Sequence, residues 1–339
     1  MKEYDVVLLV DSGIGNAIQA LYSLEYCLQN KAKTGIFLNK INASFQNYLK
    51  DCYGTEVILD SLKECSAKNL IHSFTYQEEI TLPYRNYFYI RPDLHSSKNL
   101  SETEQYLSVV RALYPSSYTN HTLQYLKEEY SPAVQELNIE QKYVFYPGGS
   151  AINSSRRWPH YLSLMNKLGK DNVAIIGGKE DLDFTYSYVY PKFIGKILSQ
   201  KFLNNKGLWK FFKNLLLLKP HAHLEKRQVQ EILYIEKFNW AELVAIFRRC
   251  KKFIGNDGGL MHLAGASGAK GIALFGPTSV AKNKTYNPII RPLYKTYSCQ
   301  PCQFGVGNIQ MVNYFINCPY EVKCLKTIHP DEVLQAIHD

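Results

Sequence analysis

The chain has 339 residues, of which 46% are hydrophobic and 20% are charged, and its formal charge is +9. This composition suits a soluble globular protein with a large core, and the length favours two domains over one. We expect no transmembrane helix, because no window reaches about 18 uninterrupted apolar residues. The first residues, MKEYDVVLLVDSG, follow a strand pattern rather than a signal-peptide pattern, so we expect a cytoplasmic protein.

The first half of the chain alternates between strand and helix patterns. In chain order, the apolar spacing predicts a strand at YDVVLLV, a helix at GNAIQALYSLEYCLQNKA, a strand at TGIFLN, a helix at ASFQNYLKDC, and strands at TEVILD and YRNYFYI. A helix follows at SETEQYLSVVRALY, where Ser101 and Glu104 form a capping box. This alternation implies a parallel sheet wound in the right-handed sense.

A polar segment at residues 128–141, which contains Pro132, interrupts the pattern and marks the predicted domain boundary. The second half is predicted to begin with strand KYVFYPGGS, helix PHYLSLMNKLG and strand NVAIIGG. It continues with helix WAELVAIFRRC, strand KKFIGN, helix GLMHLAGASG, strand GIALFG and helix HPDEVLQAIHD. We therefore predict an α/β protein with two Rossmann-like domains, residues 1–137 and 138–339, that face each other across a ligand-binding cleft.

The most informative motif combines Asp257-Gly258-Gly259 with His262. A strand is predicted to end at Asn256 and a helix to begin at once, so the glycines leave the helix's first N–H groups open to an anion. His262 follows Gly258 by four residues and shares its face of the helix. The motif predicts a nucleotide-diphosphate pocket. The alternative is that Asp257 only caps the helix and His262 is a satisfied, partly buried side chain.

Two other segments place suitable residues at strand ends. In YPGGSAINSSRRWP, Arg156 and Arg157 precede a helix, and the planar fork of arginine donates two parallel hydrogen bonds to phosphate oxygens. A solvated surface pair is the alternative for these arginines. In DSGIGNAIQ, Gly13 and Gly15 open a tight turn that lets a ligand approach the backbone, although a plain turn also explains them.

Four segments together resemble glycosyltransferase family 9, which contains the ADP-heptose:lipopolysaccharide heptosyltransferases. They are FIGNDGGLMHLAGASGAKGIALFGPTS, YPGGS with SSRRWP, IIGGKED and GIGNAIQAL. The resemblance covers most of the chain outside residues 188–230. It implies a GT-B fold and metal-independent transfer of a sugar from a nucleotide diphosphate, with inversion at the anomeric carbon. It also implies donor-binding roles for Gly13, Gly15, Ser154, Ser155, Arg156, Asp257, Gly258, Gly259 and His262.

Asn16 departs from the family's pattern. The family usually carries an aspartate at this position as general base, and an asparagine takes up no proton at neutral pH. Three interpretations stay open. Asp11, at the end of the preceding strand, is the base; another acid of the first domain, such as Asp93, is the base; or the acceptor needs little base help or the protein is not catalytic. Asp11 and Asn16 are therefore the candidate catalytic positions.

Four of the eight cysteines, Cys299, Cys302, Cys318 and Cys324, fall within 26 residues. A CxxC pair with two more cysteines suits a tetrahedral thiolate site for zinc or iron. The resemblance adds that some autotransporter heptosyltransferases carry an iron-binding cysteine finger. We expect a structural metal site, with no cofactor needed for catalysis. Four free thiols are the alternative.

A basic insert occupies residues 190–228. Between Lys192 and Arg227 there are nine Lys and Arg residues against a single acid, Glu225, and aromatic residues interleave with the lysines. Such a segment suits peripheral contact with the anionic inner face of a membrane, and it also suits a nucleic-acid backbone. A surface helix packed on the domain or on a second subunit is the alternative.

The leading hypothesis is an inverting glycosyltransferase that moves a sugar, heptose, from ADP-heptose or a similar donor. Its acceptor would be a glycan or glycolipid such as lipopolysaccharide core. A second hypothesis keeps the enzyme class but changes the acceptor to a protein hydroxyl or a modified DNA base. A third hypothesis, motivated by Asn16, is a pseudoenzyme that binds a nucleotide sugar without transferring it.

Overall fold

The computed structural model describes residues 2–11, 13–73, 76, 78–90, 100–148, 155–177, 232–234, 238–302, 318 and 320–339. The basic insert predicted at residues 190–228 lies outside these ranges, as do Asp93 and Ser154.

The N-terminal part of the chain builds one parallel sheet with helices between its strands. In chain order its elements are β1 (Lys2–Asp11), α1 (Ile14–Gln29), β2 (Thr34–Asn39), α2 (Ala43–Tyr53), β3 (Ile58–Leu59), β4 (Cys65–Ser73), β5 (Tyr84–Ile90) and α3 (Glu102–Leu113). The strand order is β3-β2-β1-β4-β5, and every neighbouring pair is parallel. Parallel β1 and β2 are joined through α1, as a crossover connection requires.

The two faces of this first sheet are covered differently. Val6, Leu8 and Val10 of β1 join residues of α1, α2 and α3 in one buried cluster. Leu9 faces the other way, into a cluster whose described members come from strands and loops and not from helices. Because strand side chains alternate between faces, Asp11 projects to the same face as Leu9.

The second part of the chain builds a larger parallel sheet. Its elements are α4 (Pro132–Gln135), β6 (Tyr143–Tyr146), α5 (Tyr161–Leu168), β7 (Val173–Gly177), β8 (Ile232–Tyr234), α6 (Trp240–Arg249), β9 (Lys252–Asn256), α7 (Gly259–Ser267), β10 (Gly271–Phe275), α8 (Val280–Asn283), β11 (Ile290–Tyr294), α9 (Lys323–Lys326) and α10 (Pro330–His338). The strand order is β11-β10-β9-β6-β7-β8. The α/β fold with two parallel sheets is confirmed. The boundary between residues 137 and 138 falls between the two sheets and stays a prediction.

The two sheets meet through helices α1 and α7, which pack against each other. Ile18 and Leu21 of α1 share one buried cluster with Leu260 and Leu263 of α7. Both helices begin at the carboxyl ends of their preceding strands, so their N-termini converge at the cleft. In the part of the chain that the structure describes, no helix is long and apolar enough to span a bilayer.

Strand β4 was not predicted, although it lies between β1 and β5. Its sequence, CSAKNLIHS, includes Lys68, Asn69 and His72, so it lacks the continuous apolar run that is typical of a buried parallel strand. His72 is in register with Leu9, on the face whose described cluster contains no helix residues. Asn69 is in register with Val6 on the other face, where its Nδ2 donates to the Asp5 carbonyl oxygen at 3.0 Å. Lys68 lies 2.7 Å from Asp5 Oδ1. β8 and β11 were also missed, and β11 is an edge strand of the second sheet.

Candidate active site

The centre of the candidate site is the junction between β9 and α7. Gly258 has extended backbone and precedes the first helical residue, Gly259. Asp257 is only 3% exposed and His262 only 7%. The first N–H groups of α7 therefore face a site shielded from water, where the partial positive charge of a helix N-terminus attracts an anion strongly.

Asn256, the last residue of β9, holds together the two loops that border this junction. Its Nδ2 donates to the carbonyl oxygens of Pro147, at 2.7 Å, and Gly148, at 3.1 Å. Its Oδ1 accepts from the backbone N–H of Trp158, at 3.1 Å, and from Tyr161 Oη, at 3.0 Å. Asn256 is fully buried, so losing this amide would leave several polar groups unsatisfied. From the sequence, Asn256 was predicted only as the end of a strand.

The structure brings Arg156 and Asp257 together. Arg156 Nη1 lies 3.7 Å from Asp257 Oδ2, and the Arg156 side chain is 22% exposed. The same carboxylate oxygen accepts a hydrogen bond from Asn283 Nδ2 at 2.9 Å. A carboxylate repels phosphate, so Asp257 is suited to hold Arg156 and Asn283 rather than to contact a diphosphate itself. Ser155 and Arg157, the chain neighbours of Arg156, are both buried.

His262 is uncharged at neutral pH. Burial lowers its pKa to about 4; the charge of Asp257 opposes this shift, and the charges of Lys282 and Arg156 reinforce it. A neutral imidazole offers one N–H donor and one acceptor nitrogen. It can therefore donate a hydrogen bond to a phosphate oxygen without a buried positive charge.

The glycine turn before α1 meets the start of α7 directly. A Cβ added to Gly15 would lie 3.0 Å from His262 Cδ2, and a Cβ added to Gly259 would lie 3.1 Å from Ile14 Cβ. Gly13 adopts φ 95°, in the left-handed region that favours glycine. The predicted turn of the first domain and the Asp-Gly-Gly motif of the second thus pack directly against each other.

Asp11 and Asn16 lie on the first domain's side of this site. The Asp11 side chain is 5% exposed, and its Oδ2 lies 3.5 Å from both Lys40 Nζ and Asn39 Nδ2. Asn16 Nδ2 donates to the backbone oxygen of Asp11 at 3.3 Å. Lys40 Nζ also lies 2.7 Å from Glu78 Oε1. Of the two candidate catalytic positions, only Asp11 supplies a carboxylate.

Glu102 is a further buried carboxylate, and its role could not be predicted from the sequence. It begins α3, is 1% exposed, and its Oε2 lies 3.3 Å from Lys282 Nζ of α8. Burial raises the pKa of Glu102, and the charge of Lys282 opposes this shift. The pair connects the first domain to the second beside His262. The predicted capping box involves Ser101 and Glu104 rather than Glu102, and the role of Glu102 depends on the tertiary packing of α8.

The four clustered cysteines line one cavity of about 200 Å³, which Ser155 also borders. All four are free thiols. Burial raises the pKa of both Cys302 and Cys324 to about 12, and the neighbouring thiols reinforce both shifts. Within the described ranges, no three His, Cys, Asp or Glu side chains form a group that could hold a metal ion.

Two parallel sheets whose helix starts converge on one cleft define the GT-B class of fold. The glycosyltransferase family 9 structure from Veillonella parvula has a TM-score of 0.60 at 15% identity, covering 100% of this chain and 97% of that one. The dodecameric iron-containing heptosyltransferase TibC of enterotoxigenic E. coli, solved with ADP-D-β-D-heptose, has a TM-score of 0.56 at 14% identity, covering 100% of this chain and 77% of that one. The predicted GT-B fold is confirmed.

Residues 222–308 match the family model described as glycosyltransferase family 9 (heptosyltransferase). A curated relative, lipooligosaccharide heptosyltransferase 2 of Campylobacter jejuni, is 30% identical over 88 residues, which are 25% of this chain and 24% of the relative. The match thus spans about a quarter of that relative's length. Together these matches confirm the predicted resemblance to glycosyltransferase family 9.

Proposed function

We propose that this protein is an inverting glycosyltransferase that moves heptose from ADP-heptose to a hydroxyl of a saccharide acceptor such as lipopolysaccharide core. The observation that carries this proposal is the convergence of the α1 and α7 starts, with Arg156 and neutral His262 beside them. The match to a family model described as heptosyltransferase supports heptose as the transferred sugar. The ADP-D-β-D-heptose bound to TibC supports ADP-heptose as the donor. The similarity to a lipooligosaccharide heptosyltransferase of C. jejuni supports a saccharide acceptor of the lipopolysaccharide-core type.

In this proposal, the second domain stabilises the leaving group. When the bond between the sugar and the diphosphate breaks, negative charge develops on the departing oxygen. The N–H groups at the start of α7, the guanidinium of Arg156 and the N–H of His262 supply fixed positive charge and hydrogen-bond donors to stabilise it. This arrangement stabilises the departing diphosphate with groups of the protein alone.

The first domain receives the acceptor. The sugar passes through an oxocarbenium-like transition state, and the acceptor hydroxyl attacks the anomeric carbon from the face opposite the diphosphate. Asp11 takes the proton of that hydroxyl as general base. Lys40 and Asn39 orient the Asp11 carboxylate, and Asn16 holds its main chain. Asn16 thus has a positioning role in place of the family's usual carboxylate.

The donor half is tested by a thermal-shift panel of nucleotides. A ligand raises the melting temperature with the logarithm of its concentration over Kd, so ADP and ADP-heptose should stabilise more than UDP or GDP at equal concentration. Arg156→Ala should remove most of the ADP effect, while Arg85→Ala, an exposed arginine of β5, should retain it. Absence of any ADP stabilisation would contradict the proposal.

The transfer step is tested with ADP-heptose and deacylated lipooligosaccharide core, using mass spectrometry to detect one added heptose. Transfer confirms the enzyme class and excludes the pseudoenzyme. ADP binding without transfer or donor hydrolysis would instead favour the pseudoenzyme. Parallel reactions with a protein acceptor and with DNA that contains a modified base test the other acceptor classes.

We also propose that Cys299, Cys302, Cys318 and Cys324 hold a structural zinc or iron ion. The support is chemical: the four thiols line one cavity, and a bound cation would stabilise their thiolate forms. To ligate one ion together, the side chains would have to move closer to one another. TibC is described as iron-containing. The backbone N–H of Cys302 donates to the carbonyl oxygen of Pro277 at 2.7 Å. An ion here would therefore steady the loop between β10 and α8.

Metal analysis of the purified protein tests this site. We expect about one zinc or iron ion per chain, given four thiolate ligands. Cys324→Ser should lower both the metal content and the melting temperature. Cys52→Ser, a half-buried cysteine of α2, is the matched control and should keep the metal. A metal-free sample with an unchanged melting temperature would contradict the proposal.

The basic insert supports a peripheral location on the inner face of the membrane, which we propose from its sequence. Sedimentation with phosphatidylglycerol vesicles should capture the protein at low salt and release it at high salt. Replacing Lys206, Lys210 and Lys213 by Gln should weaken capture. Phosphatidylcholine vesicles are the control, and duplex DNA in the same assay tests the nucleic-acid alternative.

A further inference from the structure

The first domain carries a cluster of exposed tyrosines on its edge strand, β5. Tyr84, Tyr87 and Tyr89 are 45%, 44% and 50% exposed. The rings of Tyr84 and Tyr87 lie 5.6 Å apart, and the ring of His72 lies 5.2 Å from that of Tyr89. We call these four residues the aromatic platform. Large exposed aromatic groups that contact one another mark binding surfaces more often than chance.

Strand register places the platform on the same face of the sheet as Asp11. His72 pairs with Leu9 on one side and with Tyr89 on the other. Leu9 belongs to the cluster without helices, and Asp11 follows Leu9 by two residues, so both project to that face. The platform and the candidate base, Asp11, therefore lie on the same face of the sheet.

Hydrogen bonds hold the platform in place. His72 Nδ1 lies 2.6 Å from Tyr87 Oη, and His72 Nε2 lies 2.7 Å from the carbonyl oxygen of Tyr76. Tyr76 is buried between the platform and the Asp11 carboxylate: burial raises its pKa, and the charges of Glu78 and Asp11 add to the effect. A ligand resting on these rings thus meets a surface that is already ordered, which lowers the entropic cost of binding.

We propose that the aromatic platform binds one sugar ring of the acceptor and directs the adjoining ring's hydroxyl toward Asp11. This inference rests on the proposed glycosyltransferase function and specifies its acceptor site. The face of an aromatic ring is electron-rich and attracts the polarised C–H groups of a pyranose face. The phenolic hydroxyls of Tyr84 and Tyr89 provide hydrogen-bond partners for the sugar's hydroxyl edge, whereas both ring nitrogens of His72 are already used within the platform.

The composition of the platform favours a saccharide over a lipid surface or a second chain. A membrane-binding face combines Trp, Phe or Leu with free lysines and arginines. Here the exposed large hydrophobic side chains are all tyrosines, and Arg85 of the same strand lies 3.8 Å from Glu3 Oε1. The neighbouring Lys68 lies 2.7 Å from Asp5 Oδ1. Continuity with Asp11 favours a ligand of the reaction over an unrelated partner.

The test compares substrate dependence in variants of the platform. With ADP-heptose and deacylated lipooligosaccharide core as probes, Tyr89→Ala should raise KM for the saccharide roughly two- to tenfold, while KM for the donor stays unchanged. Tyr89→Trp should restore the saccharide KM. Tyr294→Ala removes a tyrosine of equal exposure, 48%, from edge strand β11 of the other sheet. This matched control should leave both KM values unchanged.

Several outcomes would overturn the inference. Normal transfer with an unchanged saccharide KM in both Tyr89→Ala and Tyr84→Ala would remove the platform from the acceptor site and leave the proposed function intact. Loss of a dimer, or of binding to phosphatidylglycerol vesicles, in Tyr89→Ala with an unchanged saccharide KM would assign the platform to a second copy or a membrane. Absence of ADP stabilisation in the wild type would instead overturn the proposed function, and this inference with it.

Discussion

Glu102 Oε2 and Lys282 Nζ lie 3.3 Å apart, and this contact joins the first domain to the second at the edge of the cleft. The side chains are 2% and 15% exposed, so water screens the pair weakly. Lys282→Met should therefore destabilise the protein by about 3 kcal/mol, because it removes this cation from beside a buried carboxylate. Urea unfolding at pH 7 measures the loss.

The double variant Glu102→Gln/Lys282→Met is the informative comparison. Removing both charges should recover much of the stability lost in Lys282→Met, because the buried carboxylate is then gone. Lys167→Met provides the control, since its partner Asp331 lies at 2.8 Å but both side chains are exposed. It should cost less than about 1 kcal/mol. Equal losses in the buried and exposed pairs would show that the contact between the domains contributes little.

The close approach of Gly15 to His262 leads to a second prediction. Gly15→Ala should cost about 1–3 kcal/mol through overpacking and should reduce the thermal shift produced by ADP. Gly268→Ala, just after the end of α7, is the control: it is strained at φ 94°, but its Cβ would meet only Thr122 Cγ2, at an ordinary contact distance of 3.5 Å. It should lose stability and keep the ADP response.

Removing the His262 ring tests whether the loss of stability in Gly15→Ala comes from a clash with that ring. If the new methyl group acts on His262, then Gly15→Ala should cost less stability in a His262→Ala background than in the wild type. Equal costs in the two backgrounds would show that the clash lies elsewhere in the turn.

The depressed pKa of His262 makes stability depend on pH. Above pH 6.5 the ring is neutral in both the folded and the unfolded chain. Between pH 6.5 and 4 the unfolded chain binds a proton that the folded chain does not, so stability falls as the pH falls through this window. The total loss is on the order of 3 kcal/mol.

His262→Gln removes this dependence. The difference in unfolding free energy between wild type and variant, measured in urea at pH 7, 6, 5 and 4, should shrink toward acid. Other titrating groups contribute to both curves and cancel in the difference. Parallel curves across the window would show that His262 takes up its proton in the folded protein as readily as in the unfolded one.

The β9–α7 junction could be predicted from local sequence. Its strand is buried on both faces and is therefore a continuous apolar run, and Gly258 and Gly259 mark the change to a helix. Arg156 could be identified in the same way, because its segment lies between a strand and a helix that the apolar pattern predicts. These features depend on neighbours within a few residues, which a single sequence displays directly.

The rest of the site depends on distant contacts that no local pattern encodes. Asn256 bonds to residues about a hundred positions earlier in the chain, such as Trp158. Glu102 meets Lys282 only because the packing of the two domains brings α3 of the first next to α8 of the second. The aromatic platform depends on β4, whose mixed sequence hid both the strand and the position of His72. Each of these relationships requires the register and packing of complete domains.

Asp11 provides the last prediction, because it separates the interpretations that Asn16 left open. Asp11→Asn keeps the size of the side chain and one acceptor oxygen, but it replaces the other oxygen with an NH2 donor and removes the ability to accept a proton. It should lower kcat by roughly tenfold or more, within the range for loss of a general base, while the ADP thermal shift remains. An unchanged kcat would exclude Asp11 as the base.

Asn16→Asp in the Asp11→Asn background completes this test. It restores a carboxylate five residues along the chain, at the position where the family usually carries one, next to the Asp11 backbone oxygen that Asn16 now contacts at 3.3 Å. If the reaction needs one carboxylate on this side of the cleft, the double variant should regain part of the lost kcat, and its pH–rate profile should again show an acidic limb. A double variant as slow as Asp11→Asn would show that the base must stand at the end of β1, on the face that carries the aromatic platform.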